Sequence, residues 1–349
     1  MQQSLEQVVT TTDQTVLAQT KTIITPSNLT DISNSMAYLN TNQIYHGRSE
    51  ELMKKIEPNS IALSFWSPPY FVGKDYEKGE TYESWQKMLE KVIACHSSVL
   101  KPGGFMVINI ADILCFEDEG IPRFQAMNVD HQKSPVTKEM VLAAKKSHPN
   151  YSRYQLAELL GCSEQTIDRR LNGNNIRGGK HQTQTRVKLV GSPLEEYAYK
   201  VGLYLYDHRI WIKDPTWANS RWTTNSLKGV SEYEDLYIFW KPGQQVIDRS
   251  KLSGSEWKEW GSRGVWHVRS VRSNDKHEAM FPLDLASRVV KLYSDVGDIV
   301  LDPFMGSGTT AIACVLNKRK YLGIDKEKKY VELAKKSLEK YEKQLPLDL

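Results

Sequence analysis

Residues 299–310 read Ile-Val-Leu-Asp-Pro-Phe-Met-Gly-Ser-Gly-Thr-Thr, and this stretch decides the fold. Ile299–Leu301 is a short apolar run suited to a buried strand, and Thr309–Leu316 predicts a helix. Between them the glycines give a turn where the backbone can approach a ligand closely, leaving the helix's first N–H groups for polar ligand atoms. A second strand is expected over Tyr321–Ile324, and Asp325 closes it 23 positions beyond Asp302. A nucleoside-binding strand–helix–strand unit carries at about that distance the carboxylate that accepts hydrogen bonds from ribose hydroxyls. Helices over Pro282–Tyr293 and Lys328–Tyr341 flank the unit.

The same grammar stands near the beginning. The run from Asn59 to Ser67 reads as a buried strand that stops at Pro68-Pro69, since proline cannot donate to a sheet ladder. A helix over roughly Tyr82–Leu100 is closed by Lys101-Pro-Gly-Gly104, and Phe105–Ile110 predicts a second strand. Strand, helix and strand in that order imply a parallel α/β sheet, with the two blocks as halves of one sheet.

Composition narrows the class. Of 349 residues, 40% are hydrophobic and 25% charged, which predicts a soluble globular protein. No apolar stretch approaches the roughly 18 to 20 residues of a membrane span, and the polar start lacks a signal peptide's apolar run, so a cytoplasmic location is expected. Residues 1–38, rich in Gln, Thr, Ser and Asn, read as a loosely held leader. The four cysteines form no C-x-x-C pair, so neither a metal site nor a disulfide framework is expected. The net charge is only +4, but residues 130–190 hold eleven Lys or Arg against five acids, a formal +6 suited to nucleic acid.

The glycine spacing is not G-x-G-x-x-G and a phosphate-gripping Lys is missing, which disfavours a dinucleotide or a nucleoside triphosphate. D-P-F-x-G-S-G-T-T (302–310) instead resembles the S-adenosylmethionine loop of the amino-methyltransferases that act on DNA. The resemblance implies a Rossmann-like, mostly parallel sheet and S-adenosylmethionine as cofactor. By it, Asp302, Pro303, Phe304, Gly306, Ser307, Gly308 and Thr309 line the methionine part, and Asp325 holds the ribose.

Ser67-Pro68-Pro69-Tyr70 ends the first strand, the usual place for active residues in open α/β sheets. Alone it is a simple proline turn. Beside a methyl donor its chemistry fits an exocyclic amine, a poor nucleophile that must be hydrogen-bonded and aligned. The Ser67 hydroxyl and the Pro68 carbonyl can accept from an amine, the prolines stiffen the backbone, and Tyr70 offers a face for a base taken out of the duplex. The tetrapeptide matches the family's [DNS]-P-P-[YFW] motif, whose serine form is typical of enzymes making N4-methylcytosine. A hydroxyl and a carboxylate can each accept from either amine, so the choice of cytosine over adenine rests on the resemblance. The order, tetrapeptide first and cofactor loop last, is similar to the β-group permutation. No cysteine stands in the P-C-Q setting that a cytosine C5 enzyme would need.

Further segments share the likeness. His277–Pro282 is similar to the family's H-P-x-x-F-P segment, making Phe281 a candidate cofactor contact. Asp207–Lys213 and Glu234–Lys241 resemble two late strands; Trp211 serves either as core or as a wall of the base pocket. One departure is His46-Gly47-Arg48, where the family shows Gly-Asp, which leaves the expected adenine contact without its acid.

The middle section, Tyr154–Asn174, resembles a helix-turn-helix. Leu156, Ala157, Leu160, Ile167 and Leu171 supply the apolar positions, Gly161 the turn and Ser163 a cap. Any packed helix pair would show the same spacing. Gln165, Thr166, Arg169 and Arg170 would then face DNA, whose base edges Arg and Gln read well. Arg177 and Lys180, in the Gly-rich basic loop that follows, suit phosphates. The expected organisation is a leader (1–38), a catalytic half (39–115), an inserted helix-turn-helix-like target-recognition region (116–200) and a cofactor-binding half (201–349), with Trp217–Trp222 and Trp257–Trp266 as extensions of the reader. Double-stranded DNA is the expected partner, and a cognate restriction endonuclease a functional one. An N6-adenine enzyme of the same build and a DNA-binding regulator with an inactive fold are the rivals.

Overall fold

In a computed structural model of the chain, the residues described are 38–69, 81–111, 113–117, 134–172, 185–213, 232–244, 247–270 and 281–342. Tyr70, Arg177, Lys180, Trp217–Trp222, residues 277–280 and the leader up to residue 37 therefore lie outside the description. The elements begin with β1 (Gln43–His46), α1 (Ser49–Leu52), β2 (Ile61–Trp66), α2 (Tyr82–Val99) and β3 (Leu100–Ile110). The middle holds β4 (Ile113–Glu117), α3 (Lys138–Ser147), α4 (Arg153–Leu159), α5 (Glu164–Asn172), β5 (Thr185–Lys188) and α6 (Gly191–Lys200). Then come β6 (Tyr204–Ile212), β7 (Tyr233–Trp240), α7 (Gly254–Glu256) and β8 (Val265–His267). The chain closes with α8 (Leu283–Tyr293), β9 (Ile299–Asp302), α9 (Thr309–Leu316), β10 (Lys320–Asp325) and α10 (Lys328–Glu342).

Among the described residues, eight strands form one sheet in the order β1-β10-β9-β2-β3-β7-β6-β8. The late strand β9 lies between β10 and the early strand β2, so the two blocks are joined edge to edge as expected. Every pairing is parallel except the two made by β7. All six residues of β2 are buried, because a central strand covered on both faces has no solvent side to alternate with.

β3 begins earlier than its sequence suggests. Lys101-Pro-Gly-Gly104, expected to break the chain, lies within the strand, and the register shift between Ile61 and Leu63 absorbs the irregularity as a bulge does. A Cβ on Gly104 would stand 2.9 Å from the Ala62 carbonyl oxygen, so glycine is needed where the two backbones close up.

Alternation along β3 separates two cores. Phe105 and Val107 join α8 and α9, whereas Met106, Ile108 and Ile110 join α2 and α6. Thr81 and Ser84 cap α2 reciprocally, and its buried residues Tyr82, Trp85, Leu89, Val92, Ile93, His96 and Val99 recur at helical spacing. A third, small core of Val136, Val141, Leu156, Ala157 and Ile167 joins α3, α4 and α5. The antiparallel ribbon β4–β5 flanks this insertion. No described helix is long and apolar enough to cross a membrane.

Candidate active site

β2 and β9 are parallel neighbours, with Ser64 opposite Leu301, so both chains leave the sheet at the same edge. Three residues further along each strand stand Ser67 and Phe304. The two exits touch: the Trp66 and Phe304 rings lie 5.4 Å apart.

The loop after β9 is held from within. Asp302 is 1% exposed, and its carboxylate accepts from the Phe304 amide at 2.9 Å and the Thr310 hydroxyl at 2.6 Å. Burial pushes its pKa up to about 7, against the pull of those two hydrogen bonds. Both oxygens of Asp302 thus organise the turn itself. Asp325 accepts from the Gly306 amide and the Glu327 amide, each at 2.8 Å, and burial raises its pKa as well. Met305 donates to the Ile324 carbonyl at 2.9 Å, and Ser49 of α1 donates to the Pro303 carbonyl. Gly308 has a φ of +91°, and a Cβ there would meet Ala334 of α10 at 3.0 Å, so this position demands glycine for packing as well as conformation. The half-buried hydroxyls of Ser307 and Thr309 lie 3.4 Å apart at the start of α9.

The end of β1 adjoins this loop: Gly47 donates to the Asp325 carbonyl at 2.9 Å. Arg48 turns outward, its side chain 60% exposed and paired with Glu50 at 2.9 Å. It faces solvent.

At the other exit, Pro68 is buried while Ser67 and Pro69 are half-buried. The Trp85 indole N–H donates to the Pro69 carbonyl at 2.7 Å. Beneath the turn, His96 lies buried with Nδ1 2.8 Å from the Val92 carbonyl and Nε2 2.8 Å from the Ser64 hydroxyl. A carbonyl only accepts, so Nδ1 carries the proton and Nε2 accepts from Ser64. Desolvation lowers the His96 pKa to about 4, leaving the ring neutral at pH 7. The ring stacks on Trp66 with centroids 5.8 Å apart. Phe281 packs 4.9 Å from Phe65, two residues before Ser67, so the segment preceding α8 reaches the same strand.

Ser49, Trp66, Trp85 and His96 join the site from outside the two motifs. Trp66 and Trp85 bracket the proline turn, a usable signal; Ser49 and His96 act through contacts distant along the chain and carry none. Trp211 resolves to core: it is 3% exposed and its indole donates to the Val268 carbonyl at 2.7 Å. Trp260 and Trp266 are buried against each other, 5.8 Å apart, with Trp266 on β8 at the end of the strand order.

In the insertion, Leu156, Ala157 and Ile167 are buried, and Leu160 and Leu171 pack against them. Gly161 takes φ +61° at the turn, and Ser163 accepts from the Thr166 amide at 3.2 Å to cap α5. Gln165 and Arg169 are exposed. Thr166 is half-buried beside Ser163, and Arg170 donates to the Val136 carbonyl at 2.8 Å, so its guanidinium also braces the segment before α3. A third helix, α3, completes the small core and was not anticipated.

The profile of a family described as DNA methylase matches residues 61–336. The chain is 58% identical over 308 residues to the Type II methyltransferase M.BglI of Bacillus subtilis, covering 88% of each. Among solved structures, the TTHA0409 protein of Thermus thermophilus, in complex with S-adenosyl-L-methionine, superposes with a TM-score of 0.55 at 22% identity, covering 87% of this chain and 95% of that one. The cytosine-N4-specific PvuII DNA methyltransferase gives a TM-score of 0.53 at 16% identity, covering 90% of each.

Proposed function

Because the chain belongs to the DNA methylase family, we propose that it transfers the methyl group of S-adenosylmethionine to the N4 amine of a cytosine swung out of double-stranded DNA. The observation that carries this reading is the shared exit of β2 and β9, which sets Ser67-Pro68-Pro69 beside the 302–309 loop.

The donor supplies an electrophilic methyl on a sulfonium. This chain's residues bind and orient. Phe304, Gly306, Ser307, Gly308, Thr309 and Phe281 receive the methionine part, Asp325 the ribose, and Asp302 with Pro303 shapes the turn. The Ser67 hydroxyl and the Pro68 carbonyl accept from the target amine and hold its lone pair toward the methyl, while the two prolines keep the acceptors in place. Tyr70 stacks on the base. No covalent enzyme intermediate is needed.

The insertion reads the DNA as a helix-turn-helix, with Gln165, Thr166, Arg169 and Arg170 toward base edges and Arg177 and Lys180 toward phosphates. The exposed Gln165 and Arg169 on a capped helix with its own small core support that role. Residues 39–115 and 201–349 form the methyltransferase halves and 116–200 the reader. The Type II name of the 58% identical relative fits an enzyme paired with a restriction endonuclease.

The test is to incubate the protein with unmodified DNA and methyl-labelled cofactor, then digest to nucleosides. Label in N4-methylcytosine is expected. Label in N6-methyladenine overturns the choice of base, and no label in DNA overturns the reaction.

A further inference from the structure

Resting on the proposed transfer at Ser67-Pro68, we infer that Trp85 is a positioning residue for the catalytic turn and that Tyr82 and Lys188 connect it to the inserted DNA reader. Trp85 lies on the first turns of α2, 4% exposed, and its indole donates to the Pro69 carbonyl at 2.7 Å. That bond fixes the plane of the carbonyl following the two proposed acceptors and engages its oxygen, which holds the backbone of the turn that presents them. The Tyr82 ring stacks on Trp85 with centroids 5.6 Å apart and planes 29° apart. The Lys188 ammonium sits 3.5 Å from the centre of the Tyr82 ring, a cation–π contact at close range.

Lys188 is the last residue of β5, the strand by which the chain returns from the insertion, and it pairs with Ile113 of β4. Two positions on, Val190 is 1% exposed in the core that also holds Trp66, Tyr82 and Trp85. A displacement of the ribbon when the reader engages DNA therefore reaches the Pro69 carbonyl through three side chains in contact. The chain Lys188–Tyr82–Trp85–Pro69 is a mechanical link between sequence reading and the geometry of the turn.

The test is a double-mutant cycle on the full chain with Trp85→Phe, which keeps the aromatic body and deletes the N–H, and Lys188→Met, which keeps the stem and deletes the charge. Single-turnover transfer on cognate DNA should fall about tenfold in the first and about threefold in the second. Dissociation constants for cofactor and DNA should stay within about twofold, and the double variant should be no slower than Trp85→Phe alone. Wild-type rates in either variant, or fully additive losses in the double, would overturn the link. If Trp85→Phe does not fold, the Lys188→Met rate and affinities decide alone. Failure of the wild-type chain to methylate DNA would sink the proposed function instead, so the two failures are distinct.

Discussion

The edge of the sheet where β2 and β9 end and the helical insertion of α3, α4 and α5 are built on opposite plans. At the edge, polar groups are pulled inside and paired: Asp302 is spent on Phe304 and Thr310, Asp325 on Gly306 and Glu327, His96 on Ser64 and Val92. Two extensive cores back it from both faces of the sheet. Among the described residues, the small core of α3, α4 and α5 holds five buried residues, and the ion pair Arg153–Asp168 that joins α4 to α5 is partly exposed, where such pairs contribute little. Methyl transfer needs acceptors and donor held to fractions of an ångström, whereas the DNA reading proposed for Gln165 and Arg169 needs side chains turned outward and able to adapt. On the proposed reading, the more heavily braced region is the one where bonds change.

Four perturbations sharpen or break that contrast. Asp325→Ala removes a carboxylate that organises the loop and, in the proposed complex, the ribose; cofactor affinity should fall by about 3 kcal/mol, roughly a hundredfold, with DNA affinity unchanged by calorimetry. Ser67→Ala should lower the single-turnover rate by about thirtyfold, near 2 kcal/mol, while cofactor binding stays as in wild type. An unaltered rate contradicts the catalytic assignment. Ile167→Val should cost about 1 kcal/mol, felt as faster amide exchange across 136–172 and weaker DNA binding, with the 302–310 amides unaffected.

The pH dependence of stability should also localise to the edge. His96 has its folded pKa lowered to about 4 from 6.5, so its stability contribution is full above about 6.5 and is lost as pH falls toward 4. Asp302 has its folded pKa raised to about 7 from 3.8, so its contribution is full below about 4 and is lost as pH rises through 7. Denaturation midpoints should show Asp302→Asn flattening the neutral side of the profile and His96→Leu the acid side. A wild-type profile in both variants would contradict the burial argument.

The sequence made the edge legible because its chemistry is local. Glycines at 306 and 308, prolines at 68 and 69 and an acid at 325 each serve a short stretch of backbone, and all lie at strand ends. What stayed hidden was what holds these stretches from afar. Ser49 reaching Pro303, His96 reaching Ser64 and Trp85 reaching Pro69 depend on which helix covers which strand, and periodicity does not encode that. The Lys101–Gly104 segment misled because proline and glycine mark breaks on average, yet here they accommodate a bulge at the start of β3. Trp211 could not be assigned from its type, since a tryptophan serves a core or a base pocket equally well; only its burial and its bond to Val268 decide.

Whether one cleft holds both donor and acceptor is decided by a crystal structure of the chain with S-adenosyl-L-homocysteine. The sulfur is expected between the Ser67–Pro69 turn and the Phe304–Gly306 loop, with the ribose hydroxyls on Asp325. A sulfur lodged away from Ser67, or a ribose bound elsewhere, would contradict it.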